Sequence, residues 1–87
     1  MSDEHDDFLD AGQLEGRFVN YFRVGHNEFQ FVFDFGQFYT DDRKPQLHTR
    51  IITAPIYAST LLKTLQGSIA QYERSFGIIP KEDETDI

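Results

Sequence analysis

The sequence predicts an α+β fold in which an antiparallel three-stranded meander is followed by one C-terminal amphipathic helix, in the order β-β-β-α. Phenylalanine recurs at every second position through residues 28–36, which indicates a strand with one packed face. Apolar residues then recur at spacings of three and four through residues 55–76, which indicates a helix with one apolar side. Two turn-forming segments, GHNE and TDDRKP, separate the strands.

Charge is distributed unevenly along the 87 residues. The net charge of −7 divides into −6 for residues 1–16, +2 for residues 17–77 and −3 for residues 78–87. Both acidic ends lack a periodic apolar face, so we expect disordered tails at 1–16 and 80–87 around a single domain at 17–79. Because the domain itself is mildly basic, the acidic total does not exclude an anionic partner.

The first hairpin is predicted from RFVNYFRV, residues 17–24, and the strand that follows the GHNE turn. A loop of two residues, 26–27, or of four, 25–28, gives one register, in which Val24 pairs with Phe29. We call Phe29, Phe31, Phe33 and Phe35 the aromatic stripe and expect it to be core. The alternative is an exposed platform on which nucleic-acid bases stack. Gly36 breaks the alternation and predicts a bulge or the end of the strand.

A third strand is predicted at residues 46–53, and the sheet surface opposite the aromatic stripe has mixed chemistry. Aromatic, cationic and apolar groups share this surface, a combination typical of protein interfaces and of grooves for single-stranded nucleic acid. Asp34 is also on this side, and we expect it to pair with Arg23 or Arg50 rather than serve as a general base. The candidate binding face, here called the mixed face, consists of Val19, Tyr21, Arg23, Val32, His48, Arg50 and Ile52.

The helix is predicted at residues 55–76. Pro55 suits its first turn, Thr53 or Ala54 its cap and Gly77 its end. One row of apolar positions, with Leu61 beside it, is expected to pack on the sheet, while Lys63 and Arg74 lie on the back. This row, here called the helix seam, consists of Ala58, Leu62, Leu65, Ile69, Tyr72 and Phe76.

The segments YFRVGHNEFQFVFDFGQ and HTRIITAPIYASTLLKTLQGSIAQYERSFG resemble, in that order, a family of small prokaryotic proteins catalogued as domain of unknown function 3467. The resemblance spans residues 20–77 and implies a fold but no activity. A looser similarity, of architecture alone, is to the whirly and purine-rich-element-binding proteins. In those proteins a meander followed by one helix forms dimers that bind single-stranded nucleic acid.

No reaction centre is predicted. The three histidines lie on a tail, a turn and a strand, without the spacing of metal ligands. The three serines of the predicted domain all lie on the helix, no G-x-S-x-G elbow is present, and the chain has no cysteine. We therefore predict no catalytic residue, no metal, no cofactor and no enzymatic activity. No signal peptide or membrane span is recognisable, which predicts a cytoplasmic protein that does not enter the membrane.

The predicted function is that of a small dimeric interaction or scaffold module. A domain of about sixty residues is marginal by itself, and neither a disulfide nor a structural metal strengthens this one. A homodimer that uses the sheet surface or the strand edges is the first expectation, and a different protein partner is the second. The alternative function is binding of single-stranded nucleic acid on the mixed face, which the few lysines disfavour.

Overall fold

The computed structural model describes residues 14–39 and 44–81. Within them lie three strands, β1 (Tyr21–His26), β2 (Phe31–Gln37) and β3 (Gln46–Thr53), and one helix, α1 (Pro55–Phe76). The strands form one antiparallel sheet in the order β1-β2-β3. This arrangement confirms the predicted β-β-β-α fold. The tails predicted at 1–16 and 80–87 fall mostly outside the described residues.

Chain contacts divide the protein into two compact units, which are described separately. The first consists of the described residues up to Arg23 and of those from Asp34 to Thr49. The second comprises residues 24–33 and the chain from Arg50 onward, and it includes the hairpin turn and α1.

In the second unit, the hairpin turn lies further along the chain than predicted. The Asn27 backbone N–H donates to the Gln30 carbonyl oxygen at 3.0 Å. The side-chain oxygen Oδ1 of Asn27 also accepts from the N–H groups of Phe29 and Gln30, at 2.8 and 2.9 Å. The predicted pairing of Val24 with Phe29 is therefore wrong, because the Asn27 side chain draws Phe29 into the turn.

The change of register does not move any side chain to the other face of the hairpin, because the shift is an even number of residues. In the second unit the ring of His26 stacks on Phe31, with centroids 5.2 Å apart. In the first unit Phe22 meets Phe35 edge to face at 5.9 Å. Phenylalanine and histidine rings of β1 thus share a side with the aromatic stripe, as the alternation predicts.

The first strand begins at Tyr21, four residues after its predicted start. Residues 14–20 have no regular secondary structure, although the Asn20 N–H donates to the Gly36 carbonyl oxygen at 3.0 Å. Asn20 Oδ1 accepts from the Phe38 N–H at 2.8 Å. Asn20 therefore joins the start of β1 to the end of β2, and Gly36 lies inside β2 rather than at its end.

The helix has the predicted bounds. Pro55 stands at its N-terminus after the extended residue Ala54, which offers no side-chain cap. At the other end Gly77 has φ of 101°, a conformation that favours glycine, and its N–H donates to the Glu73 carbonyl oxygen at 2.9 Å. Glu73 also accepts, through Oε2, the N–H of Ile79 at 2.9 Å. Both ends of α1 are thus fixed by local sequence.

The described residues contain no buried hydrophobic side chain. Phe31, Phe33 and Phe35 are half-buried, and α1 has no buried residue. The predicted burial of the helix seam is therefore not achieved by the described chain alone. Twenty large apolar side chains of the described residues are exposed, among them Phe22, Leu65 and Phe76. Exposed apolar patches of this extent are unusual on monomeric soluble proteins.

Candidate interaction surface

The seven residues of the mixed face belong to both units. The first unit holds Val19, Tyr21, Arg23 and His48, and the second holds Val32, Arg50 and Ile52. Val19, Tyr21, Val32 and His48 are half-buried, whereas Arg23, Arg50 and Ile52 are exposed. Much of the mixed face is therefore already partly covered by the chain.

The best-defined polar contact on this face joins Arg23 to Asp34. An Nη2–H of Arg23 donates to Asp34 Oδ2 at 3.0 Å. Asp34 is only 5% exposed and is the buried polar residue of the described chain, and Arg23 is exposed. A buried carboxylate requires a charged or hydrogen-bonding partner, and Arg23 provides one. The contact confirms that Asp34 pairs with Arg23, one of the two predicted partners.

The same pair limits what Arg23 offers to a ligand. Its positive charge is directed toward a carboxylate of its own chain, so a phosphate group would compete with Asp34 for the guanidinium. The neighbouring His48 is also engaged, since its Nδ1 lies 2.7 Å from the hydroxyl oxygen of Thr49. Arg23 and His48 are therefore better arranged to hold the sheet than to bind an anion.

Tyr21 makes one aromatic contact within the first unit. Its ring meets Phe38 edge to face, with centroids 5.3 Å apart and planes at 86°. Phe38 follows β2 directly and is exposed. The contact favours one orientation of the Tyr21 ring and contributes about 0.5–1.5 kcal/mol beyond its buried area.

Val19 precedes β1 in the chain. It lines an open cleft of about 320 Å³ together with Glu15, Arg17, Phe35 and Thr49. Phe35 belongs to the aromatic stripe, so Val19 lies beside that stripe. The alternation of side chains along a strand, which assigned Val19 to the same side as Tyr21, applies only from Tyr21 onward, where β1 begins.

The aromatic stripe continues as a stack in the second unit. Phe31 lies between His26 and Phe33, at centroid distances of 5.2 and 6.4 Å and interplanar angles of 28° and 24°. Rings stacked on one another present edges rather than open faces to a ligand. This arrangement favours packing over the stacking of nucleic-acid bases.

The helix seam is the surface that sequence reasoning missed as a candidate site, since its spacing predicted burial. Its larger members, from Leu62 to Phe76, are between 39% and 76% exposed. The signal that could have revealed it is the charge content of α1. Only three of its 22 residues are charged, namely Lys63, Glu73 and Arg74. A helix with one side in water usually carries more charges.

No group of three or more metal-ligating side chains occurs in residues 14–39 and 44–81. In the same ranges, no helix combines the length and the apolar character that crossing a bilayer requires.

The described residues form a small α+β domain with open apolar surfaces. The chain matches the family described as protein of unknown function, DUF3467, over residues 6–81, and it belongs to this family. The match is longer at both ends than the predicted resemblance over 20–77. No curated protein and no solved structure matched the chain. The similarity to whirly and purine-rich-element-binding proteins thus gains no support.

Proposed function

We propose that this protein is a non-enzymatic homodimer that serves as an interaction or scaffold module in the cytoplasm. The observation that carries the proposal is the lack of any buried hydrophobic side chain in the described residues, although the fold is regular. Burial of apolar surface is the main favourable term in folding and in association. A second molecule therefore supplies the cover that the chain lacks.

The chain's remaining residues are poor candidates for this cover. Residues 1–13, 40–43 and 82–87 together hold four large apolar side chains, Met1, Phe8, Leu9 and Ile87. The described residues, by comparison, expose twenty large apolar side chains. A second copy, in contrast, brings as much apolar surface as it covers. A two-fold pair is also closed, so it does not grow into a filament.

Catalysis is a poor fit to the same surfaces. The chain has no cysteine, and Ser59, Ser68 and Ser75 are spread along α1 without a histidine on that helix to activate them. The buried carboxylate, Asp34, is held by Arg23 at 3.0 Å. These residues support a structural rather than a catalytic role.

Binding of single-stranded nucleic acid on the mixed face is the less well supported function. Arg23 is paired with Asp34, the stripe rings are stacked on one another, and the domain carries only +2 between two acidic ends. Phosphate neutralisation by free cations dominates such binding.

Sedimentation equilibrium of the full chain at micromolar concentration tests the proposal. One chain has a mass of 10.2 kDa, so we expect a species of about twice that mass. A parallel electrophoretic shift with single-stranded DNA at two salt concentrations should show no complex. A stable 10.2 kDa species would contradict the homodimer, and a shift that weakens with salt would favour the nucleic-acid alternative.

A further inference from the structure

We propose that the second copy binds along the helix seam, with the two α1 helices antiparallel and related by a two-fold axis near Gly67. This inference rests on the proposed homodimer and specifies its interface. Its first support is the spacing of the seam, which alternates strictly between four and three residues from Ala58 to Phe76. That repeat is the pattern by which two helices pack along one another.

A ring contact and the low charge beside the seam support the same surface. All large residues of the seam are exposed, and Tyr72 and Phe76 form a ring pair at 5.0 Å that extends the apolar surface at its C-terminal end. The positions that flank the seam are almost uncharged, with Glu73 as the exception: Ser59, Leu61, Gln66, Ser68, Glu73 and Ser75. Depletion of charge is a mark of the buried centre of protein interfaces.

The side of α1 away from the seam is more polar, although the exposed Ile56 also lies there. Thr60, Gly67 and Arg74 follow one another at seven-residue spacing and are all exposed. Lys63 lies nearby on the helix surface and is also exposed. Lys63 and Arg74, the two basic residues of α1, thus both lie away from the seam.

The order of side-chain sizes along the seam favours the antiparallel arrangement. The seam begins with its smallest residue, Ala58, and ends with a large one, Phe76. An antiparallel pair centred on residue 67 places Ala58 opposite the partner's Phe76, Leu62 opposite the partner's Tyr72 and Leu65 opposite the partner's Ile69. Large residues then face small ones and the gap between the helices stays even. A parallel pair would face Phe76 with Phe76 and Ala58 with Ala58.

The dipoles of the two helices also favour the antiparallel arrangement. The first turn of α1 has no acidic residue to balance the positive end of its dipole. An antiparallel partner places its own negative C-terminal end there.

The mixed face is the weaker choice for the same contact. Four of its seven residues are already half-buried, and its Arg23 is paired with Asp34. Of the six seam residues, by comparison, only Ala58 is half-buried, and the other five are exposed.

Electron–electron distances between nitroxide labels test the geometry. The chain lacks cysteine, so Thr60→Cys, Gly67→Cys and Arg74→Cys each give one label per copy on the side away from the seam. Residue 67 is well suited, because a Cβ there meets no atom within 4 Å. We expect the shortest distance at position 67 and equal, longer distances at 60 and 74. The labels at these two positions are separated by about 21 Å along the helix axis.

Equal distances at all three positions would show a parallel pair and would overturn this inference. A dimer whose distances are not symmetric about residue 67 would likewise overturn it, while the proposed homodimer would stand. No dipolar coupling in any variant, with a mass of one chain in sedimentation, would overturn both and leave the seam to another protein.

Two charge variants separate the seam from the mixed face. Leu65→Asp should reduce the sedimenting mass by half, because each copy contributes this residue near the centre of the interface. Tyr21→Asp combined with Ile52→Asp should leave the dimer mass unchanged. The reverse outcome would assign the interface to the mixed face. Should Leu65→Asp fail to fold, the label distances, which leave the seam intact, decide the question.

Discussion

Replacement of Gly36 by alanine is expected to unfold most of the protein. A Cβ at this position would fall on the backbone carbonyl oxygen of Gln46 and lie 2.9 Å from both the Gln46 carbonyl carbon and the Leu47 Cα. These are backbone atoms of β3 and cannot rotate away, so β2 and β3 must separate. We expect a loss of about 3 kcal/mol in the free energy of unfolding, the upper end for overpacking, measured by denaturant titration. That is a large share of the stability of a small domain.

Gly25→Ala is the matched control. Gly25 also lies in a strand, β1, but a Cβ there meets no atom within 4 Å, and its φ is not positive. We expect its free energy of unfolding to stay the same or to rise by up to about 1 kcal/mol, since alanine restricts the unfolded chain. Equal losses for the two variants would contradict the close approach of β3 to Gly36.

Phe31→Ala is the second variant with a large expected effect. Phe31 is half-buried and lies between His26 and Phe33, so the change removes both ring contacts at once. We expect a loss of about 3 kcal/mol in a denaturant titration, the lower end for truncation of a buried phenylalanine.

Phe29→Ala provides the comparison. Phe29 is 75% exposed in the turn, and its structural contact is its backbone N–H, which alanine retains. Its truncation should cost less than about 1 kcal/mol. If Phe31→Ala lowered the free energy of unfolding no more than Phe29→Ala, the stack of His26, Phe31 and Phe33 would not be part of the packed structure. That result would favour the aromatic stripe as an exposed platform for nucleic-acid bases.

Local signals made the later half of the chain predictable. Pro55 and Gly77 mark the ends of α1, and the predicted bounds of the helix and of β3 agree with the structure. Proline at the first turn and glycine beyond the last are constraints of backbone geometry, so they depend little on the rest of the fold. The same holds for the alternation that sorted the two faces of β2.

The hairpin turn was not predictable from residue types alone. GHNE contains two residues that favour turns, Gly25 and Asn27, and the prediction centred the loop between them. In the structure Gly25 and His26 belong to β1, and Asn27 closes the turn by accepting two backbone N–H groups through its side chain. Which of several turn formers acts depends on these side-chain hydrogen bonds, which composition does not specify.

The candidate site was predictable only in part. The alternation placed Asp34 on one side with Arg23 and Arg50, and the pair with Arg23 is present in the structure. It does not extend to Val19, which precedes β1, and it could not show that the helix seam is left exposed. A periodic apolar stripe reveals that a helix has a side to bury, but whether its own chain or a partner covers that side depends on contacts distant in sequence.

The dependence of unfolding on chain concentration tests most directly whether a second copy completes the core. If two chains fold as one unit, the denaturant midpoint must rise with protein concentration. The apparent free energy of unfolding increases by about 1.4 kcal/mol for each tenfold increase in protein concentration. We predict this rise between one and a hundred micromolar, an interval chosen to give about 2.7 kcal/mol in total. A midpoint that is the same at all concentrations would show that each chain folds alone, and it would contradict a core completed by a second copy.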